Sequence, residues 1–306
     1  MFQRSEPRFH GFPGPSLESP SLGTYDYGMT RSTVSSRIRE EWPGIVAAAI
    51  RSGLRPSLES AAVASLPSGP LRLGGSSAKI RKGEAESAVL TRVVYLAPAG
   101  EAASDWRLMC PGSTPGCRAA CLVSSGRMGM SASRRARLWK TALYLGAPDL
   151  FWGLIIINLQ SVAVEAARLG LGPAFRVNGT SDIEIPRVVS AAARRLGVSL
   201  YGYSKLPSRA LSDADTAYSF DGTEASWAHA ERVLDAGGRV SAVVDLPKGE
   251  DLPDTFRGRP AIDGDLTDAV YTRPRGVVLL LRLKGTRKAK TAARRRGFVT
   301  AVGAFA

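Results

Sequence analysis

Ala174-Phe-Arg-Val-Asn178-Gly-Thr-Ser-Asp182 reads as a strand that runs straight into a polar loop. Arg187 to Leu196 then carries a helical pattern, and Ser199-Leu-Tyr-Gly-Tyr203 is strand-like again, ending at Ser204-Lys205. The alternation continues downstream. Thr216 to Phe220 is a strand, Glu224 to Ala236 a helix closed by Gly237-Gly238, and Arg239 to Asp245 and Gly276 to Leu283 are strands. Upstream, Thr91 to Ala97 is β-branched and aromatic, and Ser131 to Leu145 and Asp149 to Leu169 are helical. Strands alternating with helices predict an α/β fold on a mostly parallel sheet, open or a partial (β/α) barrel.

In such sheets the loops that follow strand C-termini line the functional face. One of them holds all 3 cysteines of the chain, in Cys110-Pro-Gly-Ser-Thr-Pro-Gly-Cys117-Arg-Ala-Ala-Cys121. Two prolines and two glycines in the longer gap let the loop fold back and aim three sulfurs at one point. Thiolates are soft ligands, so the cluster favours zinc, copper(I) or an iron–sulfur cluster. Structural zinc wants a fourth ligand, and the 2 histidines, His10 and His229, are distant in sequence. A cubane cluster usually takes four thiolates, so three leave one iron open. Three small buried thiols without a metal are the plainer alternative.

The other loops on this rim are Asn178, Gly179, Thr180, Ser181 and Asp182, then Ser204-Lys205, then Asp245. Backbone N–H groups and hydroxyls of the first loop suit a ligand's polar end, and Asp182 suits an amine or a ribose hydroxyl. A turn capping the next helix explains the same residues equally well. Tyr203 and Lys205 offer a phenol and an ammonium to an anionic group, with a solvated lysine at a strand end as the plainer alternative. Asp182 and Lys205 are therefore the candidate catalytic residues. Asp263-Gly-Asp265, with Asp268 beyond, resembles a hard-cation loop but lacks further ligands, so a turn is the better reading.

A formal charge of +14 on 306 residues points to a polyanionic partner, nucleic acid first, with a merely basic surface as the alternative. Lys284, Arg287, Lys288, Lys290, Arg294, Arg295 and Arg296 form a C-terminal run suited to phosphates. The longest apolar run, Leu150 to Asn158, falls short of a membrane span, and the N-terminus lacks a signal core. A reducing, cytoplasmic setting is expected. The first 71 residues, rich in Pro, Gly and Ser, read as a flexible leader with a short helical segment around Val34, Ile38 and Trp42. Residues 72–306 read as the α/β domain carrying the three-cysteine loop.

Several stretches together resemble the gene product eighty-eight family of bacteriophages and other mobile elements. They are Leu90 to Ala99, the cysteine loop through Arg127, Ala136 to Thr141, Arg176 to Ile183, Tyr201 to Lys205, Ile262 to Asp265 and Leu283 to Gly285. This likeness implies mobile-element biology and carries no reaction with it. A looser likeness is to radical S-adenosylmethionine (SAM) enzymes. These place three cysteines after the first strand of a partial barrel and a polar motif after the next. It implies a cluster on Cys110, Cys117 and Cys121 and SAM at Asn178 to Asp182. The gaps here are six and three residues, where that family has three and two. Two readings follow: an iron–sulfur enzyme acting on nucleic acid or a nucleotide-derived substrate, and a non-enzymatic, zinc-stabilised nucleic-acid-binding protein.

Overall fold

The computed structural model describes residues 30–301, apart from Ser77 and Lys248. The alternation becomes two mostly parallel sheets. The first has the order β1 (Gly74–Gly75), β2 (Val89–Val94), β3 (Gly172–Arg176), β4 (Ser199–Leu200). The second contains β5 (Gly202–Ser204), β6 (Thr216–Ser219), β7 (Val240–Val244), β8 (Thr255–Phe256), β9 (Arg259–Asp263) and β10 (Val278–Arg282). Its order is β5-β6-β7-β10-β9-β8. Only the edge pairs β1–β2 and β8–β9 are antiparallel.

The expected strand Ser199–Tyr203 is divided between the sheets. Its first half pairs with β3 and its second half with β6, with Tyr201 at the junction. Across that junction β2, β3, β4/β5, β6, β7 and β10 lie side by side, parallel and in chain order. The inner face curls. Val89 of β2, Ala174 of β3, Ala217 of β6 and Leu279 of β10 share one buried cluster with Tyr201 and Val270. No closed barrel forms among the described residues.

Eleven α-helices lie among the described residues. These are α1 (Arg31–Glu40), α2 (Trp42–Arg51), α3 (Glu59–Val63), α4 (Ala78–Ser87), α5 (Pro115–Ala119), α6 (Ser131–Gly146) and α7 (Pro148–Leu169) in the first half. In the second half come α8 (Arg187–Arg195), α9 (Pro207–Ser212), α10 (Glu224–Asp235) and α11 (Arg287–Arg295). Of these, α4, α7, α8, α9 and α10 pack on strands. Trp227, Val233 and Leu234 of α10 pack on Tyr218, Val240, Ala242 and Leu280 of the second sheet. Strands buried on both faces need continuous apolar runs, which β7 and β10 supply.

Two expectations are corrected here. Residues 30–71 are not a loose leader: Val34, Ile38, Trp42, Ile45, Val46 and Ala49 are buried in one core with Leu90, Leu143 and Phe151. The helical stretch is split in two beside Pro43, which stands in the first turn of α2, where a proline sacrifices no intrahelical bond. Contact with α6 is so close at Gly146 that a Cβ there would lie 2.0 Å from the Ile45 carbonyl oxygen. Residues 1–29 lie outside the described residues. The second correction is α7: with 22 residues, it is long and apolar enough to cross a membrane by length and composition. Its apolar character is also accounted for by packing, since Phe151, Leu154, Ile155, Leu159 and Ala166 are buried in the core.

Candidate active site at the strand C-termini

A cavity of about 240 Å³ opens where β3, β5, β6, β7 and β10 end. All three cysteines line it, together with Asn178 to Asp182 and Lys205. The cysteine loop, the β3 loop and Ser204-Lys205 therefore converge as the topology rule requires. Asp245 sits at the end of β7 but is paired with Arg294 of α11 at 2.7 Å.

The thiols are free and half-buried. Cys110 is fixed by a 3.5 Å hydrogen bond from the Ala99 N–H to its sulfur, and its Sγ donates to the Thr180 carbonyl at 3.9 Å. Cys117 lies in α5, whose first turn is capped by Thr114 Oγ1 accepting from the Cys117 N–H at 3.2 Å. Cys121 follows one turn later. Burial pushes the Cys110 thiol up to about 12 and Cys121 up to about 11, and the neighbouring thiols add to both shifts. Cys117 is also raised by burial, while the Lys205 ammonium pulls it back.

The loop thus brings three sulfurs to one cavity rather than to one point. Among the described residues no three His, Cys, Asp or Glu side chains are grouped closely enough to hold a metal ion. In kind, though not in spacing, the donors suit a soft metal: three free thiols line the cavity, and the ionisation of Cys110 and Cys121 is perturbed by their neighbours. Such a centre would have to displace the thiol protons. His229 is elsewhere, on α10 against the Tyr218 ring and Arg232. His10 lies outside the described residues.

The side chains of the Asn178–Asp182 loop are committed to the protein itself. Asn178 Oδ1 accepts from Ser181 Oγ and the Ile183 N–H, and its Nδ2 donates to the Ile183 carbonyl. Thr180 Oγ1 donates to the Leu96 carbonyl at 2.6 Å. Gly179 presses on β2, where a Cβ would lie 2.6 Å from the Val94 carbonyl oxygen. Asp182 accepts from Ser204 Oγ, the Lys205 N–H and Arg209 at 2.7–3.1 Å. Burial raises its carboxyl, opposed by Arg209 and these hydrogen bonds. Lys205 Nζ donates to the carbonyls of Ser219 and Phe220 and to Ser219 Oγ at 2.7–2.9 Å, and stands 4.7 Å from the Phe298 ring centroid. All three ammonium protons have acceptors. Both candidate catalytic residues are therefore placed as braces of the rim, joining the loops after β3, β5 and β6. What the β3 loop leaves open is backbone: the N–H groups of Thr180 and Ser181 reach no acceptor among the described residues.

Sequence reasoning gave no site role to Arg176 or Tyr201 inside the curl, and read Asp268 only beside a turn. Arg176 of β3 is buried on the cavity, ion-paired with Asp268 at 3.1 Å and 4.6 Å from the Tyr203 ring centroid. Tyr201 donates to the same Asp268 at 2.9 Å. The aspartate holds the guanidinium cationic against burial, while burial first and Asp268 second push the Tyr201 and Tyr203 hydroxyls up. The available signal was an arginine inside an apolar strand of a sheet covered on both faces. The Asp263–Asp265 segment is the expected turn: Asp263 Oδ1 accepts from the Asp265 N–H, and Arg282 and Lys284 pair with the two acids.

The basic run forms α11, capped by Thr286. Lys284 and Arg294 are in ion pairs with Asp265 and Asp245, and Lys290 is half-buried. Arg287, Lys288, Arg295 and Arg296 are exposed. This helix lies against the cysteine helix α5: a Cβ on Gly116 would lie 3.0 Å from Phe298 and 3.3 Å from the Arg296 carbonyl oxygen.

Neither the curated proteins nor the solved structures contain a match to this chain. One family model does match, that of Gene product 88, over residues 71–300. That span takes in the cysteine loop, every strand that ends at the cavity and the basic helix, and the chain accordingly belongs to the bacteriophage-associated Gene product 88 family.

Proposed function

We propose that the chain is an iron–sulfur protein of radical-SAM-like type, serving a phage or mobile element and acting on nucleic acid or a nucleotide-derived substrate. One observation carries this reading: three free thiols and the β3 loop face one cavity at the ends of parallel strands laid out in chain order. Cys110, Cys117 and Cys121 would hold the cluster, with one iron left for another ligand. When bound, such a cluster supplies the electron for reductive cleavage of SAM. The protein's own residues have definite tasks. Lys205 favours the Cys117 thiolate. The Thr180 and Ser181 N–H groups offer donors to a carboxylate. Val243, Leu281 and Phe298 present apolar walls that limit water. A reducing, cytoplasmic compartment would keep the three thiols free.

Anaerobic reconstitution with iron and sulfide tests the reading. The expected result is a broad charge-transfer absorbance in the visible region that Cys117→Ala abolishes. Its absence from the wild-type protein refutes the proposal. The exposed cations of α11 support a second reading, a zinc-stabilised nucleic-acid-binding protein without catalysis. Stoichiometric zinc without iron in protein purified without oxygen selects that reading, and binding to DNA that ignores salt removes it.

A further inference from the structure

Inside the cavity the charges are already matched. Arg176 is paired with Asp268, Arg282 with Asp263, Lys284 with Asp265 and Asp182 with Arg209. The protons of Lys205 are held by Ser219 and Phe220. Among the described residues no side-chain charge of this interior is left over for an anion, and the open donors for a carboxylate are the backbone N–H groups of Thr180 and Ser181. The interior also retains unmatched hydrogen-bonding capacity in its side chains. Arg282 Nε is buried with no hydrogen-bond partner, although the same guanidinium bonds Asp263 and the Glu250 carbonyl. The hydroxyl of Tyr203, which also lines the cavity, bonds to no described residue, while Arg176 lies over its ring. Buried polar groups are nearly always satisfied, so an orphaned donor on a cavity wall marks the place of an absent acceptor. The walls between are apolar, with Val243, Leu281, Leu283 and Phe298.

The rim has the opposite character. The chain passes from cavity-lining Leu283 and Lys284 directly into α11, with Arg287 and Lys288 exposed in its first turn. A ligand suited to both parts is charged outside and, inside, neutral and acceptor-bearing with apolar faces. We propose that the cavity takes one nucleobase of single-stranded nucleic acid while α11 holds the neighbouring phosphates. Arg282 Nε and the Tyr203 hydroxyl address acceptors on the base edge. A base still stacked in a duplex cannot reach a recess below the rim, so single strands are the substrate class. The inference rests on the nucleic-acid part of the proposed function and not on the metal.

The test measures binding of full-length protein to a short single-stranded DNA, its duplex, and an abasic strand of equal length. The single strand is expected to bind most tightly. Tyr203→Phe removes a hydroxyl that no described residue uses, so folding is preserved. It should weaken binding of the base-bearing strand roughly 3- to 10-fold and leave the abasic strand unchanged. Arg287→Gln with Lys288→Gln should weaken both strands alike and lower the salt slope by about 0.7 per charge. A 2-aminopurine in the strand should brighten on binding the wild-type protein as it unstacks. Binding with no brightening, or a Tyr203→Phe effect equal on both strands, overturns base insertion and leaves phosphate docking intact. No binding of any strand at low salt overturns the nucleic-acid reading as well.

Discussion

Replacing Trp42 by alanine measures whether the N-terminal helices belong to the same cooperative unit as the sheets. Trp42 is 4% exposed, packs in the core shared by α6, α7 and β2, and donates its indole N–H to the Val63 carbonyl at 3.0 Å. Truncating a buried tryptophan costs about 3–5 kcal/mol, part transfer and part cavity. The indole hydrogen bond ties α2 to the last residue of α3, so its loss loosens both. At about two to four degrees per kcal/mol, the melting temperature should fall by roughly 6 to 20 °C. Urea and thermal unfolding followed by circular dichroism would read this as an earlier midpoint in a single transition. A loss below about 1 kcal/mol would refute the shared core. So would a separate early transition that leaves the main one in place.

Two further predictions concern buried lysines. Lys205→Met should destabilise the protein by roughly 1–3 kcal/mol, because the Ser219 and Phe220 carbonyls lose their donor. Unchanged stability in a chemical melt would return Lys205 to a catalytic role. Burial, with Arg137 adding to it, lowers Lys140 from 10.5 to about 8. The unfolded chain then binds the extra proton between these values, so stability should rise as pH goes from 8 towards 10.5 and be lowest on this account below 8. Lys140→Met should flatten that rise in melts across the window, and a rise of equal slope in the variant refutes the assignment.

Much of the fold was legible because local periodicity and burial agree. The strand at Ala174 and the helices after Ser131 and Arg187 each carry a pattern that only one element type satisfies. Residues 31–51 misled through composition: Pro, Gly and Ser around them suggested a linker, while the stripe Val34, Ile38, Trp42, Ile45 already defined a buried face. The convergence of the three cysteines with Asn178–Asp182 followed from topology. The roles of the side chains did not, because their partners are remote. Thr180 answers to Leu96, Asp182 to Ser204 and Arg209, and Arg176 to Asp268, 92 residues away. A polar loop that binds a ligand and one that braces a rim have the same composition. Only the hydrogen-bond partners separate them.

Those partners also explain how a charged outer surface and a thiol-lined interior belong to one device. After α11 the chain turns back, and Thr300 bridges Val244 while Phe298 enters the cavity wall. Gly222 makes room for this return, since a Cβ there would lie 1.7 Å from the Gly297 carbonyl oxygen. Phe298 then meets both Lys205 and Gly116, so one ring contacts the brace of the rim and the helix that carries Cys117. A polyanion held on the exposed face of α11 would act on an element that already touches the cysteine helix. Phe298 thus links α11 to the Lys205 ammonium and to the backbone of α5 at Gly116. The basic run and the three cysteines, separate features along the chain, are in this fold a single contact apart.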